Sequence, residues 1–207
     1  MTDHEGNLYA TVKIGNQCWM RDNLRTKHDA NGVPIPAGGT TTSETSPYYY
    51  DYTASNIDLK DRGLLYNWSA AKIVCPTGWH LPSDAEWNIM EKFVSGSDTM
   101  NVNFNATDWR GTHAGKLAGG DKWQSSTNNN APGNMDYAER NASGFSAVPA
   151  GGCNGLLFGG AGVLAYFWAS AQGGSFAWGR DLNYGNASVA RGYPNESRGF
   201  SARCVKD

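Results

Sequence analysis

The sequence has few charged residues and no long apolar segment, and each shortage argues against a class of protein. Only 17% of the residues are charged and the formal net charge is −2, so no charge pattern favours nucleic acid or an anionic membrane as a partner. No apolar run approaches the roughly 20 residues that cross a bilayer. The polar residues 1–6 lack the apolar centre of a signal peptide, so either the sequence begins at the mature domain or export is not by that route.

Motifs for metal binding and catalysis are also missing. The four cysteines lie at positions 18, 75, 153 and 204, with no CxxC motif and no Cys/His pair at metal spacing, which argues against structural zinc. If all are paired they allow three connectivities; otherwise some are small buried apolar side chains. No nucleophile elbow or phosphate-binding loop occurs. We interpret His80, which follows Trp79, as a structural histidine.

Glycine and aromatic residues are abundant. The 26 glycines, with so little charge, predict many turns, short strands and little helix. Eight Trp, ten Tyr and seven Phe can supply a large core, since each buried aromatic side chain removes roughly 150–250 Å² from water. No linker or exact repeat divides the chain, so we predict that residues 1–207 form a single domain.

Local patterns predict a hairpin, two helices and a long loop. Residues 8–24 are typical of a hairpin that turns at Gly15-Asn16, and residues 65–70 are either a strand or a buried helical turn. The clearest helix begins after Ser83, which forms a capping box with Glu86. The apolar side chains Trp87, Met90, Phe93 and Val94 are predicted to fall on one face of this helix. A shorter helix is predicted at 113–117, followed by an extended polar loop at 121–142.

The C-terminal residues 166–198 alternate large and small side chains at strand period. One predicted face holds Trp178, Arg180, Leu182 and Tyr184, then Val189, Arg191 and Tyr193. The opposite face holds Ala177, Gly179, Asp181 and Asn183, then Ser188, Ala190 and Gly192. A face of heavy residues beside one of small or polar residues is typical of a binding surface on a scaffold. We expect Arg180 and Arg191 to brace carbonyls or carboxylates.

Several blocks of sequence carry a family resemblance. They are residues 11–20 (TVKIGNQCWM) with 23–24, 65–68 (LYNW), 75–87 (CPTGWHLPSDAEW), 143–147 (SGFSA) and 199–205 (GFSARCV). Together they resemble the Fibrobacter succinogenes major paralogous domain family over nearly the whole chain, and block 75–87 is highly specific. The resemblance implies an α+β, C-type-lectin-like fold of the branch that contains formylglycine-generating-enzyme domains. Such a fold has an antiparallel sheet, one or two helices and long loops.

The resemblance also bears on the cysteines. C-type-lectin-like domains often join the region of the first helix to the last strand, which here implies a disulfide between Cys75 and Cys204. Formylglycine-generating enzymes bind copper with two nearby cysteines close to the C-terminus. This chain has only Cys204 there, with Cys153 fifty-one residues earlier. An enzyme of that type is therefore the less favoured reading, and we predict no catalytic residues.

Similar C-termini are found in the variable proteins of diversity-generating retroelements, where copying errors at adenines randomise AAY codons. At several positions family members often carry Asn or Tyr. At these positions this chain has residues whose codons can be reached from AAY by changing adenines alone. These positions are Gly179, Asp181, Asn183, Gly185, Ala190, Gly192, Pro194 and Ser197. We therefore expect a variable ligand-binding region at about 166–198.

The contacts around that region can be sorted into ligand-facing and core residues. The aromatic side chains expected to touch a ligand are Tyr166, Phe167, Phe176 and Tyr193. Those expected in the core are Trp168, Trp178, Leu182, Tyr184 and Phe200. Because the variable positions are small, we expect a flat, shallow site of weak affinity that works through multivalent display.

The expected partner is a protein or glycan on a cell surface, bound by a domain on a bacterial surface or at the tip of a phage fibre. The alternative is a structural module of a surface lipoprotein or pilus, whose same face packs against a neighbouring subunit. No cofactor is predicted, and the sugar-binding signatures of calcium-dependent lectins are absent. A structural Ca²⁺ ion stays open as an alternative, because oxygen donors lie in suitable loops. These donors are Asp98, Asp108, Asp121, Asn134 and Asp136.

Overall fold

The structure is a computed structural model that describes residues 1–96 and 102–207. Within these residues the chain has mostly β-structure and a few short helices, so the predicted α+β class is confirmed. The strands are β1 (Thr11–Ile14), β2 (Gln17–Met20), β3 (Tyr49–Tyr50), β4 (Leu65–Tyr66), β5 (Trp79–His80), β6 (Asp108–Arg110), β7 (Gly152–Asn154), β8 (Leu157–Gly159), β9 (Leu164–Gly173), β10 (Phe176–Asn183), β11 (Val189–Gly192), β12 (Phe200–Ser201) and β13 (Val205–Lys206). The helices are α1 (Leu59–Arg62), α2 (Trp68–Ala71), α3 (Asp84–Ser95) and α4 (Ala114–Leu117).

The strands form three sheets. The largest has the order β3-β4-β12-β9-β10-β11-β6, with β9, β10 and β11 adjacent at its centre. Its described pairs are antiparallel except for β12 with β9, which run parallel. A second sheet has the order β1-β2-β13-β5, and β7 pairs with β8 in a separate hairpin. The C-terminal strand β13 therefore pairs with β2 of the first hairpin.

Most local predictions hold, with corrections in detail. The hairpin forms around Gly15-Asn16, but its strands are shorter than the predicted range 8–24. Residues 65–70 contain both alternatives, since β4 is followed directly by α2. The capping box of Ser83 and Glu86 is present, and Gly96 caps the other end of α3. Of the four apolar side chains predicted on one face of α3, Phe93 stays outside the core: it is 62% exposed and lies beside the β1–β2 turn.

Both faces of the large sheet are covered. On one face, Phe167 and Leu182 pack with Trp87 of α3 and with Phe145. On the opposite face, Trp168 packs with residues of another apolar cluster, which are Tyr66, Trp68, Ala177 and Phe200. As expected, Trp168, Leu182 and Phe200 are core residues, whereas Trp178 and Tyr184 are only half-buried and pack at the edge. The sheet is therefore an interior layer along much of its length.

Buried charges fasten α3 to this sheet. Arg180 on β10 contacts Glu91 at 2.5 Å and Asp84 at 2.9 Å. Arg191 on β11 binds both carboxylate oxygens of Asp84 at 2.8 Å, a bidentate geometry that fixes orientation. Arg110 reaches Glu91 at 2.6 Å. The two arginines predicted to brace carboxylates do so, and they hold β10 and β11 rigidly against the helix.

A disulfide and a pair of hydrogen bonds join further distant parts of the chain. Cys75 and Cys204, the pair implied by the family resemblance, form a disulfide across 129 residues. His80 hydrogen-bonds to Glu86 at 2.8 Å and to Asp207 at 2.6 Å. Although burial opposes it, these bonds raise the pKa of His80 above its ordinary value. His80 therefore links the helix cap to the chain end, which is a structural role.

Among the residues that the structure describes, no helix is long and apolar enough to span a bilayer.

Candidate functional site

The face of β10 and β11 that carries the predicted variable positions is less open than the alternation of large and small side chains predicted. Gly179 is buried, and a Cβ atom there would lie 3.0 Å from the carbonyl oxygen of Phe167. Ala190 is only 7% exposed. The prediction that these two positions face outward was wrong. At Gly179 the reason is Pro194, whose ring would lie 3.8 Å from that Cβ atom and whose carbonyl oxygen accepts a backbone hydrogen bond from Ala177.

Phe167 also needs correction. It was expected to touch a ligand, but it is fully buried among Trp87, Phe145 and Leu182. Three consecutive aromatic residues, 166–168, occur on β9, and alternation sends the middle one to the helix side. Only Tyr166 remains both half-buried and accessible.

A cavity of about 380 Å³ opens on the face that carries Tyr166 and Asp181. Three of the predicted ligand-binding residues line it: Tyr166, Asp181 and Pro194. The other lining residues are Gly152, Cys153, Asn154, Leu157, Gly159, Leu164, Arg198 and Phe200. We call this space the sheet cavity. Its volume lies in the range of small-ligand sites, so the site is a pocket here rather than the flat surface that was expected.

The walls of the sheet cavity come from three parts of the chain. Tyr166 on β9 stacks on Phe200 of β12, with ring centroids 4.6 Å apart and planes 11° from parallel. The β7–β8 hairpin forms the facing wall, held by paired backbone hydrogen bonds between Cys153 and Gly199 of 3.0 and 2.9 Å. Gly152 must stay small, because a Cβ atom there would come within 3.1 Å of Tyr166 and 3.2 Å of Phe200. The stacked rings thus form an apolar floor.

Charge in the sheet cavity is sparse and unpaired. Burial raises the pKa of Asp181 to about 7, although the nearby charge of Arg180 opposes this. Among the described residues, the side chains of Asp181 and Arg198 have no hydrogen-bond or ion-pair partner. Burial, together with the charge of Asp181, also raises the pKa of Tyr166. An acid and a base therefore line one pocket without neutralising each other.

Exposed aromatic side chains lie where β10 begins and β11 ends. Phe176 and Tyr193 are 45% and 56% exposed, and their rings meet edge to face at 6.4 Å. Tyr193 also contacts Trp178 at 5.1 Å, and Arg191 lies 3.5 Å over the Trp178 ring. Phe176 and Tyr193 are thus exposed, as a ligand-contacting role requires.

The remaining predicted positions are dispersed. Asn183 and Gly185 line a different, open depression of about 550 Å³ with the loop at 125–128. Gly192 faces open space, with nothing within 4 Å of a Cβ atom built there. Ser197 is half-buried and donates to the side-chain oxygen of Asn195 at 2.6 Å. The predicted ligand-binding positions therefore do not form one surface. Some line the sheet cavity, some line the second depression, and Phe176 and Tyr193 form an exposed aromatic rim.

The described residues contain no group of three or more His, Cys, Asp or Glu side chains that could hold a metal ion. Of the oxygen donors considered for calcium, Asp98 lies outside the described residues. Asp121 pairs with Lys122 at 3.6 Å, and Asp136 is exposed. Cys204 is held by Cys75, so it does not pair with Cys153. Burial raises the pKa of the Cys153 thiol to about 12, which leaves it protonated and unsuited to bind metal at neutral pH.

Sequence reasoning missed the β7–β8 wall and Arg198. Nothing in the run of glycine and leucine at 151–160 indicated a pocket, because its contacts with Phe200 and Tyr166 are distant in sequence. Arg198 directly follows the predicted position Ser197, and its charge was a usable signal.

The chain was compared with protein families, curated proteins and solved structures. A family model described as the Fibrobacter succinogenes major domain matches residues 12–206. No curated protein and no solved structure matches the chain.

Proposed function

The chain belongs to the Fibrobacter succinogenes major domain family, and from that premise we propose that it is a non-catalytic recognition domain. Its ligand binds in the sheet cavity and on the rim formed by Phe176 and Tyr193. The observation that carries this proposal is the cavity itself, with a stacked aromatic floor and two unpaired charges. Concave, mostly apolar sites with a few polar groups are the usual form of ligand sites.

We assign the scaffold to the C-type-lectin-like type, in the branch with formylglycine-generating-enzyme domains. Support comes from the α+β composition and from the disulfide that joins the approach to α3 with the start of β13. The partner is a protein or glycan on another cell surface, met on a bacterial surface or a phage particle. A disulfide is consistent with such an oxidising location.

Retroelement diversification remains part of the proposal, with a smaller set of variable positions. Gly179 and Ala190 are removed because they are buried. The retained positions are Asp181, Asn183, Gly185, Gly192, Pro194 and Ser197. The test is the DNA downstream of the gene. A near-copy of the last hundred or so nucleotides, differing at adenines and followed by a reverse transcriptase, supports the proposal, and its absence removes this part of it.

The binding function is tested with the purified domain on arrays of glycans and cell-surface proteins. The variant Asp181→Tyr fills the sheet cavity, and Asp136→Tyr changes an exposed residue of the loop at 121–142. We expect a hit that the wild type and Asp136→Tyr share and that Asp181→Tyr loses. Hits that Asp181→Tyr retains at full strength would contradict the proposed site.

A second function is favoured by the exposed aromatic rim. Phe176 and Tyr193 could pack against a neighbouring subunit of a surface lipoprotein or pilus, since exposed apolar patches often mark protein interfaces. Substituting both residues by serine separates the two functions. Loss of a subunit contact with intact ligand binding would favour the structural module.

A further inference from the structure

The sheet cavity carries one carboxylate and one guanidinium that are not paired with each other. No ion pair joins Asp181 to Arg198, and neither side chain has a hydrogen-bond partner among the described residues. Both nevertheless line the same pocket. Asp181 is half-buried and Arg198 is exposed. Leaving a partly buried charge such as Asp181 unpaired is costly, and a ligand that supplies both opposite charges would pair with each.

Much of the surface around these two charges is apolar. The Tyr166 and Phe200 rings stack, and Leu157, Leu164 and Pro194 add apolar side chains to the lining. Asp181 lies directly across from Tyr166 on the neighbouring strand. A cation held at Asp181 would therefore also lie near an aromatic ring, and such contacts favour organic ammonium groups.

We infer that the sheet cavity binds a zwitterionic small molecule, with its ammonium group at Asp181 and its carboxylate at Arg198. The apolar part of the ligand lies along Tyr166 and Phe200. This inference deepens the proposed recognition function and rests on it, because it names the chemical class bound at the same site.

Other ligand classes fit the lining less well. A calcium ion requires 6–8 oxygen ligands, and Asp181 is the one carboxylate in the lining. A simple amine leaves Arg198 unpaired, and a simple carboxylic acid leaves Asp181 unpaired. A neutral sugar could stack on the rings but would neutralise neither charge.

The inference is tested by calorimetry with three probes that each have a chain of six carbon atoms: 6-aminohexanoate, hexylamine and hexanoate. We expect 6-aminohexanoate to bind at least about tenfold more tightly than either singly charged probe, which corresponds to about 1.4 kcal/mol. If hexylamine or hexanoate binds as tightly as 6-aminohexanoate, the zwitterionic class is overturned.

Two variants assign each charge to its partner. Asp181→Asn should weaken 6-aminohexanoate and hexylamine but leave hexanoate unchanged or tighter. Arg198→Gln should weaken 6-aminohexanoate and hexanoate but spare hexylamine. A variant that merely disturbs folding cannot produce these opposite selectivities. Equal losses for all three probes, or none, contradict the assignment, and Asp136→Asn is the matched control.

The pH dependence gives an independent readout. Tyr166 on β9, Arg198 beside β12 and Arg180 on β10 itself are the charged or titratable groups that act near Asp181, with the Cys153 thiol on the facing hairpin. Asp181 must be ionised to hold an ammonium group, and its pKa is about 7. Affinity for 6-aminohexanoate should therefore rise as pH increases through 7, and Asp181→Asn should remove the rise. A flat profile for the wild type overturns the role of Asp181.

Failure of this inference can be separated from failure of the proposed function. If no probe binds but Asp181→Tyr abolishes an array hit, the cavity is the site and the zwitterionic class is wrong. If array hits are insensitive to Asp181→Tyr and no probe binds, both proposals fail.

Discussion

At the scale of single residues, Glu91 is the buried charge on which the support of the sheet depends. It is fully buried and contacts Arg110, Arg180 and His113 at 2.6, 2.5 and 3.1 Å. Although burial opposes ionisation, the hydrogen bond from His113 and the charges of Arg180 and Arg110 lower the pKa of Glu91 to about 2. The carboxylate therefore stays ionised inside the protein.

Glu91→Gln should destabilise the protein by about 3–5 kcal/mol at neutral pH, because it leaves buried cations without their partner. Urea unfolding followed by tryptophan fluorescence measures the free energy of unfolding. The stabilisation by Glu91 is present above pH 4.5 and is lost as pH falls toward about 2. The difference in free energy of unfolding between the variant and the wild type should therefore become smaller as the pH falls through that range. Glu139→Gln, at an exposed position, is the control. If Glu91→Gln loses no more stability than Glu139→Gln, the role of Glu91 is contradicted.

Asp181 has the opposite pH behaviour. Its pKa is raised from 3.8 to about 7 by burial, so the folded state holds the proton more tightly than the unfolded chain. The contribution of protonated Asp181 to the free energy of unfolding is therefore fully present below pH 3.8, and it declines as the pH rises toward 7. Relative to Asp181→Asn, the wild type should lose stability across this range. Carbon NMR of the carboxyl group should show a midpoint near 7, and a midpoint near 4 would refute this account.

At the scale of elements, the strands β10 and β11 show what alternation does and does not determine. The pattern assigned Arg180, Leu182 and Arg191 correctly to the helix side, because side-chain direction follows strand period. It could not show that Pro194 covers Gly179, because that contact depends on the path of the chain after β11. The capping box was predictable for a similar reason, since Ser83 and Glu86 interact within a single turn.

Substitution tolerance should therefore differ between two glycines on the same face. Gly192→Tyr should be tolerated, since nothing lies within 4 Å of a Cβ atom there. Gly179→Tyr should cost about 1–3 kcal/mol or more, because the side chain would overpack against backbone; its Cβ would lie 3.0 Å from the Phe167 carbonyl oxygen. Urea unfolding of both variants is the measurement, and equal stability would show that this face is open throughout.

At the scale of the whole molecule, one covalent tie joins distant parts of the chain. The disulfide closes a loop of 129 residues in sequence separation, and the loop-entropy model gives about 4–5 kcal/mol for such a closure. The pairing was implied by the family resemblance and not by cysteine spacing alone. The cavity wall at 152–159, in contrast, was not predictable, since it forms only when β7 meets Gly199 and Phe200.

Replacing both Cys75 and Cys204 by alanine should lower the free energy of unfolding by about 4–5 kcal/mol. Unfolding in urea without reductant measures the loss. Cys18→Ala, which removes a thiol outside any disulfide, is the control and should have a much smaller effect. A double variant as stable as this control would show that the tie contributes little.

The central claim is that a braced, largely covered sheet presents one ligand pocket beside β9 and β10. Amide chemical-shift mapping with a ligand identified on the arrays tests it most directly. The account predicts that the largest shifts fall on residues around Tyr166, Asp181, Pro194 and Arg198. Shifts concentrated instead in the loop at 121–142 or in the β1–β2 hairpin would contradict it.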